Sequence, residues 1–193
     1  MKSWHVGNGY EIRQLSSQEF GPLFREHRTR IFERTIGFDV RNAMSEGEKE
    51  ALKRLAQKIG EPYVVNLGLY HRGEFVGWSW GRQDGCERFH MVNSAVFPEH
   101  RRKGFYRALM ERVVNEAASE GFQIVYSRHA ATNSAILIPK LKFGFIITSF
   151  EISDAFGLLV HVSYFTNPIR RKVMQFRVGE LMPDDETRKF LGI

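Results

Sequence analysis

The chain has 193 residues, 42% of them hydrophobic and 26% charged, with a formal charge of +6 and a pI near 9.6. That is one domain's worth of sequence with enough apolar material for a core; the single cysteine, Cys86, excludes an internal disulfide, and no apolar run reaches the ~18 residues of a membrane span. The lone thiol and the polar sequence behind Met1-Lys2-Ser3 suit a cytoplasmic location, and the positive charge favours anionic partners, whether nucleic acid or a polyanionic cofactor.

In chain order, Tyr10 to Leu15 alternates as a first strand. Ser16 and Glu19 have capping-box spacing, and Leu23, Phe24, His27, Ile31 and Phe32 follow at helical spacing, with Gly21-Pro22 expected to delay the helix start. A loop over Thr35–Met44 leads to a second capping box, Ser45 with Glu48, and a helix closed by Gly60 and Pro62. Tyr63–Tyr70 and Glu74–Gly81 read as a hairpin turned at Arg72-Gly73, where Gly77 and Gly81 mark bulges or close approach. A third strand runs from Arg88 to Phe97 and stops at Pro98. Leu109, Met110, Val113, Val114, Ala117 and Ala118 form one stripe of a long helix closed by Gly121. Phe122–Ser127 is a short strand, Asn133–Phe143 a short helix ended by Gly144, and Phe145–Ser153 and Leu158–Phe165 the last two strands. From Pro168 the chain is helical or irregular. This order places the chain in the α/β class, of α+β type, with a partly antiparallel sheet. A domain over 1–166 and an appendage over 167–193 are expected.

The chemistry is concentrated in Ser94-Ala95-Val96, a basic turn, and Gly104 at the start of the long helix. First-turn N–H groups of a helix lack intrahelical acceptors, and the dipole adds about half a positive charge there, which suits a phosphate. Gly104 lacks the Cβ that would hold a phosphate oxygen off the backbone, while Arg101, Arg102 and Lys103 add mobile charge. The segment alone also fits a plain helix boundary with three solvated cations. It is neither a Walker loop nor a dinucleotide fingerprint.

Arg101-Arg102-Lys103-Gly104, preceded by Val96-x-Pro98, resembles the first part of the pyrophosphate motif Gln/Arg-x-x-Gly-x-Gly/Ala of the GNAT superfamily of acyl-CoA N-acyltransferases. Asn133-Ser134-Ala135, then Phe143-Gly144-Phe145, resembles that family's Asn…Gly-Phe segment. Both lie in the family's element order, from Tyr10 to about Phe165. The resemblance implies a mixed, mostly antiparallel, twisted central sheet flanked by helices. It implies acetyl-CoA as co-substrate, no metal, and transfer of an acetyl group to a primary amine by direct attack on the thioester. In that reading Ser94, Ala95 and Val96 offer backbone hydrogen bonds to the pantetheine arm, and a main-chain N–H near Val96 faces the developing oxyanion. Arg101, Arg102, Lys103, Gly104, Phe105 and Tyr106 wrap the pyrophosphate, and Asn133 bonds the pantetheine. A plain helix-capping role for Asn133 stays open.

Two departures from the family pattern stand out. Tyr106 occupies the position of the motif's second glycine, where its bulk either shifts the pyrophosphate or packs over it. Lys140 occupies the position of a tyrosine that in many members protonates the leaving thiolate. A thiol's pKa of about 8.5 leaves little need for an acid near neutrality, and Lys140 is the candidate to steady the thiolate, or else to contact a CoA phosphate. An amine nucleophile with a pKa near 10.4 must lose a proton, at about 4.6 kcal/mol at pH 7. Some members use a glutamate where this chain has His90, a residue suited to base duty by an imidazole-like pKa; His90 and Val96, six residues apart, are expected on one strand face. A histidine merely satisfied within the strand is the bland alternative, and His129, just after the neighbouring strand, is a second candidate base. Trp78 and Trp80 read as core or as acceptor-pocket lining, Cys86 has no base partner in the sequence, and the dispersed histidines form no metal motif.

The expected acceptor is a small-molecule or peptide amine, with no membrane contact and with room left for a homodimer. A non-catalytic acyl-CoA sensor is the main rival, supported by the missing tyrosine. A nucleic-acid surface ranks last, because no aromatic-basic motif accompanies the basic tail.

Overall fold

Asn8 and Gly9, at φ of 52° and 76°, close a tight turn that pairs β1 (Ser3–Gly7) antiparallel to β2 (Tyr10–Gln14). The structure, a computed structural model, describes residues 2–32 and 39–192. Beginning the sheet at Tyr10 therefore missed one strand. Asn-Gly is a strong hairpin dipeptide, but only Trp4 and Val6 of β1 lean on the core.

Ser16 and Glu19 form the expected capping box, with Ser16 Oγ accepting from Glu19 N–H and the Glu19 carboxylate accepting from Ser16 N–H at 2.8 Å. It starts α1 (Ser17–Ile31), and Pro22 lies inside the helix instead of delaying it. So near the N-terminus the proline forfeits one backbone bond, while the cap satisfies the helix end. Of the loop expected over Thr35–Met44, residues 35–38 lie outside the described residues; Val40–Ala43 is a 3-10 turn capped by Asp39. The second capping box, Ser45 with Glu48, starts α2 (Glu46–Ile59), which buries no residue and leaves Leu52, Leu55 and Ile59 exposed.

Next come β3 (Val64–His71), β4 (Glu74–Gln83), β5 (Arg88–Val96) and α3 (Phe105–Ser119), close to the expected bounds. β6 (Ile124–Ala130) runs three residues past the expected Ser127, because it stays paired as far as Ala130 with Leu159 of the last strand. His129 is thus a strand residue. The order ends with α4 (Ser134–Phe143), β7 (Ile146–Ser153), β8 (Gly157–Phe165), α5 (Pro168–Arg177) and α6 (Asp185–Leu191). α5 leans on β8, where the Arg171 guanidinium donates to Phe165 C=O at 2.7 Å.

The described strands form one eight-stranded sheet in the order β1-β2-β3-β4-β5-β6-β8-β7, antiparallel throughout except for β5 with β6. One face packs Val65, Leu67, Leu69, Phe89, Met91, Val96 and Val125 against Leu109, Met110 and Val113 of α3. The other face packs Trp78 and Ala95 against Phe20, Leu23 and Phe24 of α1. Trp78 is fully buried and so belongs to the core.

Candidate active site

β5 and β6 pair through only Arg88↔Ile124, Phe89↔Val125 and His90↔Tyr126. Beyond that point they fork: β5 stays with β4 up to Val96, and β6 stays with β8. Where the fork begins, β5 carries a bulge. Trp80 faces Asn93 and Gly81 faces Met91, so Val92 has no partner on β4. Gly81 permits it, since a Cβ there would meet the Phe89 ring and lie 2.5 Å from His90 O; a Cβ on Gly77 would lie 2.6 Å from Ala95 O. The two glycines were legible as bulge or close-approach signals, but the bulged residue was not.

Phe97 N–H donates to Val76 C=O at 2.9 Å. Backbone groups alternate along a strand, so those of Ala95 face β4, whereas those of Ser94 and Val96 face the fork. Ala95 consequently offers the fork no backbone hydrogen bond, contrary to the sequence reading. Ser94 Oγ is engaged by Ser79 Oγ at 2.7 Å, leaving its main chain. Val96 C=O accepts from Arg101 Nε at 2.8 Å, which fastens Arg101 to the fork edge and leaves its terminal nitrogens over.

The chain then turns through Arg102 and Gly104, at φ of 61° and 83°, into α3. A Cβ on Gly104 would meet nothing within 4 Å, so the positive φ requires the glycine and open space lies above it. Ala108 N–H is bonded to Gly104 C=O at 3.1 Å, but the N–H groups of Phe105, Tyr106 and Arg107 have no acceptor among the described residues. Side chains cap α1, α2, α5 and α6, while α3 and α4, which follow the two diverging strands, have no such cap. Asn133, at the head of α4, therefore does not serve as the plain cap. The Phe105 side chain is buried against Tyr10, with ring centroids 4.1 Å apart, and Tyr106 packs against the α3 core, so its bulk turns inward rather than over the helix N-terminus. Burial raises the Tyr106 hydroxyl pKa and keeps it neutral. Tyr10, which the sequence reading passed over, braces the basic turn: its hydroxyl bonds His100 Nδ1 at 2.9 Å and accepts from Lys103 Nζ at 3.2 Å.

On the α3 face below the fork, Lys140 is 1% exposed, with Nζ 3.5 Å from Met91 Sδ and 4.1 Å from the centroid of the Phe145 ring. Burial, with no carboxylate partner among the described residues, pushes its pKa down to about 7. His129, bonded to Ser127 Oγ at 2.9 Å, is pushed down to about 3, by burial first and then by the Lys140 charge. Met91 is the first β5 residue beyond the last pair with β6, so the ammonium sits at the apex of the fork.

His90 lies on the other face. Its neighbours Phe89 and Met91 both point into the α3 core, as does Val96. The bulge at Val92 has reversed the strand parity, so His90 and Val96 do not share a face as the six-residue spacing implied. The His90 ring stacks on Tyr126, centroids 4.7 Å apart, among Arg82, Arg128, Asp84 and His161. Desolvation, then the Arg128 charge, lowers its pKa to about 4, so the expected imidazole-like value gives way to a ring that is neutral well below pH 6. Tyr126 donates to Asp84 and, pushed up to about 12 by burial, keeps its proton.

No helix of the described residues is long and apolar enough to cross a membrane, and no three His, Cys, Asp or Glu among them are arranged to hold a metal ion. Among solved structures, the chain is similar to the yncA protein of Salmonella typhimurium, solved with acetyl-CoA (17% identity, TM-score 0.61, 83% of this chain and 96% of that one). It is also similar to the ribosomal-protein-S5-alanine acetyltransferase of Vibrio fischeri (12%, TM-score 0.62, 87% and 98%) and the ribosomal-protein-S18-alanine N-acetyltransferase of Escherichia coli (20%, TM-score 0.57, 81% and 93%). At these identities the likeness speaks to the fold alone, and no curated protein matches the chain. The profile of the Acetyltransferase (GNAT) family matches residues 21–145, well over half of the sequence and spanning both the basic turn and the Asn133 segment. With its mixed, mostly antiparallel sheet, forked between β5 and β6, the chain belongs to the GNAT acetyltransferase family.

Proposed function

We propose that the protein is an acetyl-CoA-dependent N-acetyltransferase that acts in the cytoplasm on a primary amine of a small molecule or peptide. The observation that carries this reading is the uncapped N-terminus of α3 beside the free edge of β5, a row of unpaired N–H groups at the mouth of the fork. The residues fit a polyanionic thioester. The N–H groups of Phe105, Tyr106 and Arg107, with Arg102 and the terminal nitrogens of Arg101, would hold the pyrophosphate. Main-chain groups of Ser94 and Val96, with the uncommitted Asn133 side chain, would hold the pantetheine, and the Val96 N–H is the candidate oxyanion donor.

Acetyl-CoA supplies the thioester carbonyl carbon that the amine attacks. On the face opposite α3, His90 is neutral at physiological pH and can accept the proton the amine loses. Lys140, with a pKa near 7 below a thiol's ~8.5, is acidic enough to protonate the departing thiolate. Its near-complete burial favours a second reading, an acyl-CoA sensor in which that step is shut off.

Two measurements separate these. Acetyl-CoA at about 100 times its dissociation constant should protect the fold by roughly 2.7 kcal/mol, read as a thermal shift. CoA release with saturating acetyl-CoA and a panel of amines should then exceed the uncatalysed rate. A shift without release with any amine supports the sensor, and no shift with acetyl-CoA or CoA removes both readings.

A further inference from the structure

The face of the fork that carries His90 has an unequal supply of hydrogen-bonding groups. Its carboxylates already accept hydrogen bonds. Asp84 takes the Tyr126 hydroxyl, and Glu151 takes both Arg128 (3.2 Å) and His161 Nε2 (2.6 Å). The Asn93 side-chain oxygen accepts from Trp78 Nε1 at 2.8 Å.

Its donors are in surplus. Arg82, the cross-strand partner of His90, has no carboxylate within 4 Å among the described residues, and neither does Arg88, which lies over the Tyr126 ring at 4.3 Å.

From this imbalance we infer that the amine acceptor is a small molecule carrying its own oxyanion, a carboxylate or a phosphate, which Arg82 receives while the amine stands at His90. The inference rests on the transferase reading. Cross-strand partners hold their Cβ atoms about 5 Å apart, so amine and oxyanion are only a few bonds from each other, as in a free amino acid or an aminoalkyl phosphate. A polyamine or a lysine-rich peptide would instead bring further ammonium groups against Arg82, Arg88 and Arg128, with Asp84 the one carboxylate among the described residues of this face that no cation already pairs.

The test compares matched acceptors at saturating acetyl-CoA, following CoA release. The twenty free amino acids are set against their carboxamides, phosphoethanolamine against ethanolamine, and spermidine serves as the polycation. At least one anionic member should exceed its neutral counterpart by tenfold or more in kcat/KM, and the arm in which this happens identifies carboxylate or phosphate. In Arg82→Ala that ratio should fall to about 1, and in Arg82→Glu it should invert, with the acetyl-CoA thermal shift of both variants kept as proof of an intact fold and cofactor cleft. A preference for spermidine or the neutral members overturns the inference. So does an unchanged ratio in Arg82→Ala, or no acetylation of any anionic member by a protein that shows the acetyl-CoA shift. Absence of that shift in the wild type sinks the underlying transferase reading instead.

Discussion

The two faces of the sheet at the fork treat ionisable groups in opposite ways. On the α3 face Lys140 and His129 are enclosed with sulfur, an aromatic ring and a serine, and burial lowers the pKa of both. On the other face charges are plentiful, and Arg128 and His161 both pair with Glu151. His90 joins this second set by position, yet it is 8% exposed and titrates like the first. The difference teaches that desolvation, not the local count of charges, governs the candidate catalytic groups. The dry face suits a thioester and its leaving thiolate; the wet face suits a polar acceptor.

The change expected to break this division most completely is Gly104→Glu. It places a side chain at φ 83° and a negative charge over the uncapped N-terminus of α3. Acetyl-CoA protection and turnover should both vanish while the wet face keeps its structure, as read by thermal shift and circular dichroism. A folded variant with an unchanged shift would move the phosphate site elsewhere.

Next in size is His90→Ala, expected to lower turnover by roughly 100-fold with acetyl-CoA affinity nearly unchanged. Because the folded pKa is lowered to about 4, the wild-type rate should lose its His90-dependent limb only as pH falls through about 4, where the ring takes up a proton. The variant should lack that limb. A limb near pH 6.5 would mean that the imidazole is far better solvated than its stacking on Tyr126 allows.

Lys140→Met should have the smallest effect on rate, about tenfold in kcat, and an opposite effect on stability. With a folded pKa near 7 against an ordinary 10.5, the native protein holds fewer protons than the unfolded chain between those values. Wild-type stability should therefore climb as pH rises from 7 to about 10, and below pH 7 the buried ammonium costs on the order of 5 kcal/mol. Methionine removes both the cost and the climb, measured as urea unfolding at pH 6, 8 and 10. A less stable variant with a retained climb would show that the ammonium is solvated.

Much of the fold was legible in the sequence, element by element. Both capping boxes formed at Ser16 and Ser45, and Gly60 and Gly144 ended their helices where a glycine was expected to. β1 escaped notice because five residues with two inward side chains give almost no periodic signal. The end of β6 was misplaced because Arg128, His129 and Ala130 are held in the sheet by β8 rather than by any local preference. The basic turn and Gly104 were legible because a helix start and a polyanion both make demands on a short contiguous segment.

What the sequence determined by itself was therefore local: where helices begin, where glycine is required, and that a phosphate-ready helix N-terminus follows a strand. The tertiary structure alone decided which face each site residue serves. A single unpaired residue, Val92, reversed the parity between His90 and Val96; pairing with β4 turned Ala95 away from the fork; and packing against Met91 and Phe145 set the charge of Lys140. These outcomes depend on strand register and burial, which arise only when segments distant in sequence meet, and no window of neighbouring residues contains them.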